Sequence, residues 1–293
     1  MRCTNRQCRN QLSVRKNTFF AFTDALGRPN SKLDIQTILE LIWLWYLGTS
    51  SSTIATLVHV TETTVVDWTN FLREVCQEKL NDAPQMGGIG EVVQIDESLF
   101  RGKRKYNRGR QLLGNRRNAT TASNNNGLVQ YPSSTSSDDS DSSTVQTNNN
   151  RNYGARVDGP WIFGIAQPTA EGYEARFFHV QRRDAATLLP IIWKNVYRGT
   201  TIWSDEWKAY CRLQTTYGYD HQTVNHSQNF IDPHTGCHTQ LIESLWGHAK
   251  TKILRTMRGT TLLDSHLAEF WYRSVHKSMF PSILNDIRHY RTK

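Results

Sequence analysis

The sequence predicts an α/β fold, a mixed sheet with flanking helices, preceded by a small helical region. Three observations predict it. Apolar residues recur at helical spacing between Asp34 and Leu80, and β-rich runs begin only after the linker spanning Pro84 to Gly90. Beyond that linker, strands first follow one another and then alternate with helices.

Residues 1–30 form a basic, loop-rich opening that carries Cys3 and Cys8 and closes on the Gly27-Arg28-Pro29-Asn30 break. The two cysteines supply half of a structural zinc site, and no second pair follows nearby, so two free thiols are the weightier reading. In 31–83, Ile35, Ile38, Leu39, Ile42 and Tyr46 share one helical face that ends at Gly48. Two short helices should follow, one capped by Ser52 and carrying Ile54, Ala55 and Val58, the other capped by Thr61 and carrying Val65, Trp68 and Leu72. Joined by His59 and Val60, they make a helix-turn-helix candidate whose second helix would enter a major groove. A helical hairpin that touches no DNA fits this pattern equally well.

The remaining segment, 91–280, reads as the main domain. Glu91 to Phe100 should be a strand, and RGKRKYNRGR follows it, a basic run around Tyr106 suited to phosphate contacts or nuclear import. Residues 118–152 are almost wholly Ser, Thr, Asn and Asp, with too little apolar surface to fold, and read as a disordered insertion. Strands are expected at 161–166, 174–180, 200–204 and near His221 to Val224. Helices are expected from about Asp184 to Val196, from Glu206, from Gln240 to Arg255, and in HLAEFWYRSVHK. This order matches an RNase H-like core, in which the central strand carries the first of several acids.

The bulk chemistry narrows the function classes. A net charge of +9 and a pI near 9.4 favour a polyanionic partner, nucleic acid first. Five irregularly spaced cysteines do not make a disulfide framework and suggest a reducing compartment, so the glycosylation-like triplets at Asn118 and Asn225 read as chance. The longest apolar run, Ile38 to Leu47, contains Glu40 and is too short to span a bilayer. An intracellular protein is expected.

Asp96 in VVQIDES, Asp205 in TIWSDEWKAY and Glu243 in HTQLIESLW stand at two strand ends and in a helix. Three carboxylates so arranged suit hard divalent cations. Glu97 and Glu206 directly follow the two aspartates, and strand alternation allows only one of Asp96 and Glu97 on a given face. The bland readings are that Asp205 caps the helix from Glu206 and that Asp96 ends a strand. Glu243 falls off the stripe of Ile242, Leu245, Trp246, Ala249 and Ile253 that should be buried, together with Gly247 and Lys250.

The framing sequences IDES, WSDEWKAY, VNHS and HTQLIESLWGHAK, in this order, resemble the DDE transposases of the Merlin superfamily and their bacterial insertion-sequence relatives with an ISXO-like domain. The resemblance runs from Cys3 to about His276, outside the insertion. It implies that Asp96, Asp205 and Glu243 are the catalytic, metal-binding triad of a DNA transposase. Such an enzyme cleaves at terminal inverted repeats and transfers 3′-OH ends into target DNA. Its cofactor would be a pair of Mg²⁺ or Mn²⁺ ions roughly 3.5–4 Å apart, its partner DNA, its assembly a homodimer or larger, and its compartment the nucleus. The resemblance also implies a four-cysteine zinc ribbon, of which Cys3 and Cys8 would be the remnant. Some bacterial relatives have Asn in place of the third acid, where this chain has Gln240.

The expected DNA-contacting residues are Arg101, Lys103, Arg104, Lys105, His226, His238, Gln240, Lys250, Lys252 and Arg255. His226, His234, Cys237 and His238 also make a weaker zinc candidate. Trp203, Trp207 and Trp246 are expected in the core. Two rival functions accompany the transposase reading. One is a domesticated transposase-derived protein that binds DNA without cutting; the other is an RNase H-type nuclease.

Overall fold

A computed structural model of the chain describes residues 7–8, 15, 18–21, 31, 33–100, 159–253 and 260–290. Three helices come first: α1 (Ile35–Tyr46), α2 (Ser51–Val58) and α3 (Glu62–Asn81). Asp34, Ser50 and Thr61 begin them, each side chain accepting from the backbone N–H three residues on. Ser50, rather than the expected Ser52, is thus the cap of α2; with Ser51 already helical, Ser52 lies inside the first turn. His59 closes α2 at φ 56, a left-handed conformation that a non-glycine residue adopts at a cost.

The sheet follows: β1 (Val92–Leu99), β2 (Trp161–Thr169) and β3 (Gly172–Val180), then α4 (Ala185–Asn195), β4 (Thr201–Asp205), a 3-10 turn (Lys208–Tyr210), α5 (Leu213–Tyr217) and β5 (Asp220–Val224). Three helices complete the chain: α6 (Gln240–Lys252), α7 (Leu263–Val275) and α8 (Met279–His289). The strand order is β3-β2-β1-β4-β5. β1, β2 and β3 pair antiparallel, whereas β1 with β4 and β4 with β5 are parallel. This five-stranded mixed sheet with flanking helices is the expected RNase H-like arrangement, behind an N-terminal helical region. No helix starts at Glu206, α6 is shorter than expected, and α8 lies beyond the last helix read from the sequence. The expected insertion 118–152, like Cys3, lies outside the described residues.

Strand alternation divides the sheet into two working faces. Val93, Ile95, Phe163, Ile165 and Ile202 join Leu188, Leu189 and Ile192 of α4 in one core. Ile162, Ala166, Ala175 and Phe177 join Ile242, Leu245, Trp246 and Ala249 of α6 and Leu263 and Leu267 of α7 on the other. A third core holds α1, α2 and α3 together with Ala268, Trp271 and Tyr272 of α7 and Met279, Ile283 and Ile287 of α8. α7 therefore serves two cores at once. Its polar links agree: Glu269 pairs with Arg73 of α3 (2.7 Å), the Trp271 indole donates to Glu174 of β3 (2.9 Å), and Ser274 Oγ accepts from Ala175 N (3.3 Å).

Arg176 ties the linker to the sheet. Arg176 is 1% exposed, and its guanidinium donates to Glu174 Oε1, to Asn195 Oδ1 and to the Pro84 carbonyl. A buried charge persists only when its donors are met in this way.

Candidate active site

β1 and α6 meet through a polar ladder. Alternate residues of a strand rise about 6.6 Å and fourth neighbours of a helix about 6 Å, so two such series can run side by side. Here Gln94 Oε1 accepts from Ile242 N (3.1 Å), Asp96 Oδ2 accepts from the Trp246 indole N–H (2.8 Å), and Ser98 Oγ accepts from Lys250 Nζ (2.6 Å). Asp96 is the middle rung. Its other oxygen accepts from Glu97 N at 2.7 Å.

The helix can lie this close because β2 contributes no side chain at the crossing. Gly164 is the partner of Asp96 in the β1–β2 ladder, and a Cβ there would come within 2.6 Å of the Trp246 ring and 2.8 Å of Ile242 Cδ1. The indole stacks on Phe177 of β3 instead, with centroids 4.6 Å apart.

Asp205 ends β4. The β1–β4 register aligns Val92 with Thr201 and Gln94 with Trp203, and the same offset brings Asp205 level with Asp96 just past the last paired rung. Both aspartates therefore follow the α6 face of the sheet, where Trp203 lies against the His238 ring (4.8 Å). Glu97 points to the opposite face, as alternation requires. Asp205 Oδ1 accepts from Trp207 N (3.1 Å), closing a local turn in place of the expected helix cap.

Glu243 stands on α6 beside the ladder, off the buried stripe, which comprises Ile242, Leu245, Trp246, Ala249 and Ile253 as the periodicity predicts. Its Oε1 accepts from Thr239 Oγ1 (2.7 Å) and lies 3.4 Å from His226 Nε2, which itself is 2.9 Å from the same hydroxyl. Asn225, next to His226, donates to Glu206 Oε2 (2.8 Å), so Glu206 is engaged in the loop after β5.

The acids burden one another. Burial, and then the charges of Asp205 and Glu243, push the Asp96 carboxyl up to about 7 against its two hydrogen bonds. Glu97 is pushed up to about 8 by burial and by the charges of Asp96 and Asp205. Burial also raises Asp205, opposed by the Trp207 N–H, His226 and Arg183. Glu97 Oε1 is buried without a hydrogen-bond partner. A carboxylate set that is desolvated, mutually repelling and partly orphaned is chemically suited to a hard cation. As placed, however, no three His, Cys, Asp or Glu side chains among the described residues are gathered to hold a metal ion.

The other expected contacts divide. Lys250 is bound into the ladder, with its ammonium also 5.6 Å from the Phe100 ring, while Lys252 and Gln240 are exposed. His238 is half-buried, its Nδ1 3.4 Å from Gln94 Nε2 and its ring against Trp203. Cys237 is buried and its thiol donates to the Gln222 carbonyl, so it is not poised as a zinc ligand. Trp246 is core and Trp203 half-buried, but Trp207 is 37% exposed and corrects the expectation of a core residue. Cys8 is an exposed free thiol. Arg101, Lys103, Arg104, Lys105 and Arg255 lie outside the described residues. In the helix-turn-helix candidate, the outward residues of α3 include Glu62, Asp67, Glu74 and Glu78, which disfavours phosphate contacts along that helix.

Sequence reasoning missed Gln94, Ser98, Gly164, Thr239 and Arg183. Arg183 lies over the Trp161 ring, its guanidinium carbon 3.7 Å from the centroid. Of these, Gln94 and Ser98 carried a signal, since they share the two-residue period of Asp96.

In comparison with protein families, the model of the ISXO2-like transposase domain matches residues 140–274. That stretch contains Asp205 and Glu243, and Asp96 precedes it. The chain is similar to these transposase domains, which supports a transposase-related function. Comparison with curated proteins and with solved structures gives no match.

Proposed function

We propose that the chain is a DNA transposase of the DDE type, with Asp96, Asp205 and Glu243 as its metal-binding catalytic acids. One observation carries the reading: the strand register levels Asp96 with Asp205, and the α6 ladder brings the helix of Glu243 against the same strand. The similarity to ISXO2-like transposase domains supports it independently. Membership of the Merlin superfamily is part of the proposal.

Two divalent ions, Mg²⁺ or Mn²⁺, would activate the attacking oxygen and stabilise the leaving one during in-line displacement at phosphorus. The chain's own residues prepare that chemistry. Trp246 and the Glu97 N–H fix Asp96 in one orientation, and Trp207 N fixes Asp205. Glu243, about half exposed, would be the third ligand. Thr239 and His226 hold its carboxylate on α6 beside the ladder. Water is the first nucleophile and exposes a 3′-hydroxyl at the transposon end; that hydroxyl then attacks target DNA.

The partners proposed with this function are transposon ends and target DNA, held by a homodimer or a larger assembly in the nucleus. The helical region of residues 31–83 would help to place the ends, and the backbone contacts fall mainly to the catalytic domain. Incubation of the purified chain with Mg²⁺ and a duplex carrying the repeats that flank its gene tests the reading. Nicking at the repeat ends followed by strand transfer is expected. Binding without cleavage overturns it in favour of a domesticated DNA-binding protein, and cleavage confined to RNA–DNA hybrids in favour of an RNase H-type nuclease.

A further inference from the structure

The turn between β3 and α4 carries two consecutive arginines with opposite fates. Arg182, its side chain 78% exposed, pairs with Asp184 at 2.9 Å. Asp184 is also committed to the cap of α4, accepting from Thr187 N and Oγ1. Arg183 turns inward. Its guanidinium carbon lies 3.7 Å from the Trp161 ring centroid and 5.1 Å from that of Trp207. The Trp207 indole N–H in turn donates to the Arg183 carbonyl (3.2 Å), which fixes the half-exposed tryptophan over it. Trp161 starts β2 opposite Leu99, two residues beyond Glu97 on β1, and Trp207 follows Asp205 by two.

Arg183 therefore stands beside Glu97 and Asp205, and its charge opposes the upward shift of both carboxyls. Even so, among the described residues its guanidinium makes no hydrogen bond and no ion pair. A cation that served only to neutralise these acids would be expected to bond one of them. Packing against the Trp161 ring leaves the guanidinium N–H donors without a partner among the described residues, and that planar fork matches a phosphate in bidentate fashion. A site rich in carboxylates repels a DNA backbone, and a fixed cation on its rim offsets that repulsion.

We propose that Arg183 is a phosphate-binding residue, gripping the backbone of the DNA strand that passes over Trp161 and Trp207 into the site. The assignment rests on the phosphoryl-transfer reading. It assigns DNA recognition to the turn before α4, which no sequence motif marks.

The test is equilibrium binding of the full chain, in Ca²⁺, to a fluorescent duplex of the DNA flanking its gene, measured across a series of KCl concentrations. Losing one phosphate contact lowers the slope of log K against log salt by about 0.9. Arg183→Gln is expected to bind about threefold to tenfold more weakly with that reduced slope, and Arg183→Lys to keep the wild-type slope. Trp207→Ala, at an exposed position, provides a second variant for the case in which Arg183→Gln does not fold, and is expected to weaken binding severalfold. A folded Arg183→Gln, or Trp207→Ala, that binds with wild-type affinity and slope overturns the assignment. Because binding is read without cleavage, an uncleaved duplex counts against the transposase reading and not against this one.

Discussion

The Trp246 indole fills the space that a side chain at Gly164 would need, and from there it donates to Asp96, the ladder partner of that glycine. One missing Cβ thus sets both the approach of α6 and the orientation of the first acid. Gly164→Ala forces a rigid ring and a buried isoleucine to give way, and should destabilise the protein by about 1–3 kcal/mol in urea unfolding. Combination with Trp246→Leu should cost less than the sum of the two changes, because the second removes the clashing atoms.

Trp246→Phe keeps most of the packing and removes only the N–H. Since that hydrogen bond holds the Asp96 carboxyl down, its loss should move the carboxyl further above about 7. The shift is measurable by NMR titration of labelled aspartate in metal-free protein. An unchanged titration would mean that the bond is not formed in solution.

Asp96 and Glu97 both titrate higher in the folded chain than when unfolded. A raised pKa means that the folded state holds protons which the unfolded state has released. The stabilisation is therefore fully present below the ordinary carboxyl range and is lost as pH rises through about 7 to 8. Metal-free protein should accordingly lose stability between about pH 4 and pH 8, and Asp96→Asn and Glu97→Gln should each flatten the profile. Thermal unfolding across this range in EDTA checks both.

Arg176→Met removes the donor that the buried guanidinium gives to Glu174, to Asn195 and to the Pro84 carbonyl. Breaking a buried charged network by removing one partner costs about 3–5 kcal/mol, and a loss of that order is expected in denaturant titration. Arg176→Lys should recover only part of it, since one ammonium cannot reach three separated acceptors.

Much of this arrangement was legible in the sequence because it depends on local periodicity. Strand alternation in VVQIDES puts Asp96 and Glu97 on opposite faces, and the 3.6-residue stripe of Ile242, Leu245, Trp246 and Ala249 puts Glu243 off the buried face, without any tertiary knowledge; the expected strand end at Asp96 is corrected, since Asp96 lies in the middle of β1. What was not legible depends on register between distant segments. Nothing near Gly164 announces a tryptophan eighty residues on, and nothing near Arg183 announces that Trp161 and Trp207 will enclose it. Asp205 shows a third limit: a helix cap and a turn use the same Asp-to-N–H bond, and only the backbone beyond Trp207 distinguishes them.

Thr239 and His226 hold Glu243 through one shared hydroxyl. Thr239→Val should free the carboxylate without adding bulk, lowering kcat in the cleavage assay severalfold while duplex binding stays unchanged. An unchanged kcat would mean that the Thr239 hydroxyl does not position Glu243.

The central claim, that Asp96, Asp205 and Glu243 together hold the divalent ions, is tested most directly by Mn²⁺ binding followed by electron paramagnetic resonance. Wild type and the single variants Asp96→Asn, Asp205→Asn and Glu243→Gln would be compared at neutral pH. The wild-type chain should take up Mn²⁺, Asp96→Asn and Asp205→Asn should each weaken uptake at least tenfold, and Glu243→Gln should weaken it less. Uptake by all three variants equal to that of the wild type would contradict the account.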